Sequence, residues 1–247
     1  MPVAPSGLVT PREPELPRPI FDPQQAAVVP EDPAGGQLPL PAVAARGLLP
    51  ERLRARFTNP PVWSPEMTSD RIRLRPGPPR PAAVLMPIVL HPGGPSVLLT
   101  QRTAHLREHS GQVAFPGGRH EPADRTPVHT ALRETQEEIG LEPSRIEVIG
   151  RLPEYLTGTG FQVTPVVGLV APGFELRADP HEVAEVFEVP LDFLMDPRHH
   201  QRRLISVGGV ERTFWAMPYR PHPAASEYFI WGATAAMLRN FYRLLIA

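Results

Sequence analysis

The 247-residue sequence contains neither cysteine nor lysine. Without cysteine there can be no disulfide, no thiolate metal ligand and no cysteine nucleophile. Without lysine, all 25 basic side chains are arginine, so any cationic side chain that meets a phosphate is Arg or His. A GC-rich genome accounts for that usage more simply than selection for guanidinium forks. Excess charge is missing too. The net charge of -1 argues against general electrostatic binding of nucleic acid but leaves room for a local basic pocket. No apolar run approaches the ~18 residues of a membrane span. Met1-Pro2-Val3-Ala4-Pro5 lacks the basic and apolar regions of a signal peptide. The expectation is a cytoplasmic protein with no membrane and no nucleic-acid partner, and with an oligomeric state that the sequence leaves open.

Proline is abundant and unevenly spread: 22 of 35 lie before Ser96. Residues 1–45 read as a Pro-rich segment without regular structure of its own, free to drape across a core. Residues 46–80 read as a short helix over Leu48 to Phe57, stopped by Asn59-Pro60-Pro61, and a linker. Residues 81–247 carry the periodicity of one folded domain. Strands are expected at Ala82–Leu90, Ser96–Gln101, Ile146–Leu152, Gln162–Val170, Val183–Val189 and Thr213–Pro218. Pro87 marks the first as an edge or bulged strand. The tail from Trp231 to Leu245 is helical, with Ala235, Leu238, Tyr242 and Leu245 at core spacing. The pattern predicts an α+β fold with a mixed β-sheet.

The most informative helix begins after Thr126, a good N-cap, with Pro127 at its first position, and ends at Gly140. Val128, Ala131, Leu132, Thr135 and Ile139 form its buried stripe. At about 100° per residue, Glu134, Glu137 and Glu138 fall on the adjoining flank. Such a cluster is either a solvated acidic face or a site for a hard divalent cation. The loop Phe115-Pro116-Gly117-Gly118 ahead of it favours the cation, because glycines let backbone approach a metal or phosphate closely.

Gly118 through Leu141 resembles the Nudix box, in which a Gly, a Glu and an Arg-Glu-x-x-Glu-Glu-x-Gly run stand at fixed spacing. Arg133-Glu134-Thr135-Gln136-Glu137-Glu138-Ile139-Gly140-Leu141 carries the second half, with Thr135 in place of an aliphatic residue. Asp124 stands where the family usually has Glu, and eight residues instead of seven separate it from Arg133. The resemblance implies a Nudix-type α/β/α sandwich. It also implies Mg²⁺ or Mn²⁺ held by Glu134, Glu137 and Glu138 with the Gly118 carbonyl, and an Arg133 that orients the carboxylates. Asp124 is either a metal-linked acid or a loop acid at the helix start.

The segment before the box, Leu98-Leu99-Thr100-Gln101-Arg102-Thr103 with Leu106, His109 and Gly111-Gln112-Val113, resembles the coenzyme A pyrophosphatases of the Nudix family. That subgroup shares the Asp and the longer box. Thr164–Gly168, Glu182-Val183-Ala184 with Val189-Pro190-Leu191, and Ile230–Thr234 extend the likeness from about Ala82 to Leu245. The implied reaction cleaves coenzyme A or its thioesters to 3′,5′-ADP and (acyl-)4′-phosphopantetheine. Arg102, His109, Gln112 and Arg119 are the candidate substrate contacts, with Arg107 and Arg125 further arginines beside the loop. Glu137, Glu138 and Glu182 are the candidate catalytic acids, and Glu182 is either the base or a supporting acid. Trp231 either stacks on an adenine or packs the last helix. Competing readings are hydrolysis of another nucleoside diphosphate such as ADP-ribose or NADH, a non-catalytic nucleotide-binding module, and an adaptor role for the Pro-rich segment.

Overall fold

The computed structural model describes residues 22–30, 40–70, 77–103, 111–207 and 210–247. Leu106, Arg107 and His109 lie outside these residues. In chain order the regular elements are β1 (Ala27–Val29), α1 (Pro50–Thr58), β2 (Arg80–His91), β3 (Gly94–Arg102), β4 (Val113–Ala114), β5 (Gly117–Arg119) and α2 (Pro127–Ile139). There follow β6 (Ile146–Arg151), β7 (Tyr155–Leu156), β8 (Phe161–Val170), β9 (Val183–Pro190), α3 (Leu191–Leu194), β10 (Gln201–Val207), β11 (Val210–Tyr219), β12 (Tyr228–Trp231) and α4 (Gly232–Ile246).

The larger sheet runs β4-β3-β2-β8-β6, with β5 on β2, β7 on β8 and β9 on β3. It is mixed because β2 and β8 are parallel while its other pairs are antiparallel. Alternation along β2 and β8 gives the sheet two apolar faces. Ala83, Leu85 and Val166 meet Ala131 of α2 on one face. Met86, Ile88, Val163, Val167 and Leu169 join Leu53 of α1 and Leu238, Phe241 and Tyr242 of α4 on the other. The sheet between these helices is the expected α/β/α sandwich.

Pro87 stands inside the sheet and not at its edge, since β2 is paired on both sides. The Leu85 N–H donates to the Pro116 carbonyl at 2.9 Å, on the β5 side. Two residues on, the ring nitrogen of Pro87 points the same way. It meets the gap between the last β5 pairing, at Val84, and the first β3 pairing, at Ile88. A residue without an N–H costs the ladder nothing there.

Part of the expected Pro-rich segment takes regular structure among the described residues. Ala27–Val29 is a strand that pairs antiparallel with β10, in a second sheet of order β1-β10-β11-β12. The described linker residues pack as well. Arg54 of α1 donates twice to Glu147, at 2.8 and 2.7 Å, and Phe57 occupies the space where a Gly150 side chain would be. Asn240 and Arg239 of α4 hold the backbone at Glu66–Met67 and the Glu66 carboxylate.

Candidate active site

Helix α2 has the predicted ends. Thr126 Oγ1 accepts from the His129 N–H at 3.2 Å, and Gly140 takes the left-handed conformation at φ 71°. The buried stripe presses α2 against β2 and β5, so the acidic flank lies along the Gly117-Gly118 strand.

The three glutamates do not share one environment. Glu134 rests its carboxylate against the α-carbon of Gly118, in the space that a side chain there would fill. Glu138 is buried, and its Oε2 accepts from the Gly117 N–H at 3.0 Å. Glu137 turns outward, with its side chain 59% exposed, and takes a 2.8 Å ion pair from Arg133. Gly118 is thus required by the close approach of the Glu134 carboxylate, and Gly117 by its positive φ and the backbone of Ala83 and Val84 on β2.

Arg133 organises the flank. Its Nε and Nη2 both donate to Asp124 at 3.0 Å, Nη2 also reaches Glu134 and the Arg119 carbonyl, and Nη1 holds Glu137. The Asp124 carboxylate has no solvent exposure and further accepts from Thr130 Oγ1 and the Glu121 N–H, each at 2.9 Å. Arg133 therefore holds the Asp124 carboxyl well below the usual range, and burial opposes it. Asp124 faces Arg133.

Glu182 arrives from the loop before β9. The Asp179 N–H donates to the Glu138 carbonyl at 2.8 Å, tying that loop to the end of α2, and the Thr103 N–H holds the Glu182 carbonyl at 3.0 Å. The register shifts between Gln101 and Arg102, so Arg102 faces Val183 and Ala184 is looped out. Arg102 then lies between two acids, with Nη1 3.4 Å from Glu138 and Nη2 3.8 Å from Glu182. Gln112 lies against Gly232 at the start of α4. Arg119 is exposed, and its guanidinium sits 5.3 Å from the Phe161 ring centroid, with Arg80 at 4.1 Å from the same ring. Trp231 packs edge-on against Phe214 of β11, at 5.5 Å between centroids. The sequence reading missed Thr130 and Phe161. Thr130 could have been suspected from its place one turn after the N-cap, but no local signal marks Phe161.

The electrostatics are those of a cation-poor site. Burial pushes the Glu138 carboxyl up to about 7, aided by repulsion from Glu182 and Glu134 and resisted by the Gly117 N–H and Arg102. Burial also raises Glu134, with Glu137 and Glu182 adding repulsion against the pull of Arg133. Among the described residues no three His, Asp or Glu side chains already close into a ligand set. Yet Glu134, Glu138 and Glu182 act on one another, and oxygen donors short of positive charge fit a hard divalent ion. No helix among the described residues is long and apolar enough to cross a membrane.

The NUDIX domain family model matches residues 79–207, just over half the chain. A Nudix hydrolase of Escherichia coli (strain K12 / DH10B), NudL, described as uncharacterized, is 47% identical over 162 residues, which is 65% of this chain and 80% of that protein. NudL of Salmonella paratyphi B, described in the same way, is 45% identical over 177 residues, 71% of this chain and 85% of its own. Among solved structures, the Nudix hydrolase RenU of M. smegmatis is 27% identical with a TM-score of 0.41, over 48% of this chain and 74% of that one. The chain belongs to the Nudix family and is a hydrolase of pyrophosphate bonds.

Proposed function

We propose that the protein hydrolyses the diphosphate of coenzyme A or its thioesters, yielding 3′,5′-ADP and (acyl-)4′-phosphopantetheine. The observation that carries this reading is the segment before the box, together with the one-residue-longer box. Asp124, placed by that longer spacing, is spent on Arg133 and leaves Glu134 and Glu138 to face the glycines. Arg102 at the end of β3 reaches Glu138, and Gln112 lies against Gly232 within Ile230–Thr234. Segments distant in sequence that resemble the coenzyme A subgroup thus meet around α2 and the start of α4.

Glu134 and Glu138, with Glu137 and the Gly118 carbonyl, are the residues that would hold Mg²⁺ or Mn²⁺. Such an ion neutralises the diphosphate and lowers the pKa of the attacking water. Arg133 keeps Glu134 and Glu137 in place without touching substrate. Glu182, half exposed and within electrostatic reach of Glu138, would take the proton of the attacking water. Arg102, Arg119, Gln112 and His109 are the proposed contacts to the substrate, and the arginines answer its extra 3′-phosphate.

A substrate panel with product identification, run with and without EDTA, tests the reading. The expected result is metal-dependent release of 3′,5′-ADP from coenzyme A. Faster turnover of ADP-ribose or NADH than of every coenzyme A derivative would replace the substrate, and no turnover at all would favour a nucleotide-binding module.

A further inference from the structure

Arg102 is held badly for a partly buried guanidinium. Its contacts to Glu138 and Glu182, at 3.4 and 3.8 Å, are longer than the roughly 2.7–2.9 Å of a good charge-assisted bond. Its Nε is buried with no hydrogen-bond partner. Leaving a buried donor unmade is costly, so an arrangement of this kind persists only where something else holds it. The bulge that loops out Ala184 does so, because bulges re-aim side chains. With Arg102 opposite Val183, its positive charge is directed at the two carboxylates.

We propose that Arg102 is an internal counter-cation for the metal site. In the ion-free protein its guanidinium stands between Glu138 and Glu182. It is driven off when a divalent ion takes the Glu138 oxygens, because the two cations repel each other at such short range. Freed from the acids, the guanidinium turns to the diphosphate oxygens. Metal and Arg102 therefore compete for Glu138, whereas substrate and Arg102 attract. The proposal rests on Glu134 and Glu138 being metal ligands, and it does not depend on which diphosphate is cleaved.

The test titrates Mn²⁺ calorimetrically into the metal-stripped full-length protein without substrate. Arg102→Gln is expected to bind Mn²⁺ about 10-fold more tightly than the parent while its KM for the diphosphate substrate rises. Arg102→Lys keeps the charge and should stay near parental Mn²⁺ affinity. Unchanged or weaker Mn²⁺ binding by a folded Arg102→Gln protein would overturn the competition. A Glu138→Gln control separates the two ideas: if it binds Mn²⁺ as the parent does, the metal assignment fails, whatever Arg102 does.

Discussion

Asp124→Asn measures what the buried Asp124–Arg133 pair contributes. The carboxylate is fully enclosed and accepts two bonds from Arg133, one from Thr130 and one from the Glu121 N–H. Removing one partner of a buried pair costs about 3–5 kcal/mol. Arg133 retains Glu134, Glu137 and the Arg119 carbonyl, so the low end, about 3 kcal/mol, applies. The pH dependence follows from the sign of the shift. Asp124 is depressed in the folded state, so its stabilisation is complete above the ordinary Asp value and fades as pH falls toward the folded one. The gap between parent and variant should shrink by about 1.4 kcal/mol for each pH unit below about 3.9. Urea unfolding of the metal-free protein at neutral pH and near pH 3 reads both quantities. A penalty below about 1 kcal/mol at neutral pH, or one indifferent to pH, would refute the reasoning. Weaker Mn²⁺ binding with unchanged metal-free stability would return Asp124 to the metal.

Three further outcomes are expected. Gly118→Ala places a methyl group against the Glu134 carboxylate; kcat should fall at least about 10-fold and Mn²⁺ binding weaken, with little change in Tm, because a flexible side chain can move aside. Leu53 of α1 is fully buried in the main core, so Leu53→Ala should cost about 2–5 kcal/mol in a denaturant titration, whereas a smaller loss would make residues 46–80 a dispensable linker. Glu138 is raised to about 7 when folded, so its contribution to stability is complete below the ordinary Glu value and lost as pH rises through 7. Saturating Mn²⁺ should therefore raise Tm more at about pH 8 than at about pH 5.5, and an equal rise at both would contradict the metal-site assignment.

Helix α2 was legible because its signals are local. A cap, a first-turn proline, a stripe at helical spacing and a terminal glycine all act within a few residues. The strands with apolar alternation were legible for the same reason, as was α4. Strand β10, Gln-Arg-Arg-Leu-Ile-Ser-Val, was not, because it carries little apolar alternation and is defined by its pairing with β1 and β11. Pro87 misled because the sequence reports a missing N–H but not where the neighbouring strands stop.

By itself the sequence determined the family, the acidic helix and the glycines before it, since box residues stand close together and turn on one helix. The tertiary structure decided how the acids divide. Glu137 points to solvent, Glu134 and Glu138 to the glycines, and Asp124 to Arg133. It also brought Glu182 and Arg102 to Glu138, through a bulge and backbone bonds between the loop before β9, β3 and α2. Those contacts join residues tens of positions apart, so they arise only when the sheet closes, and no local pattern encodes them.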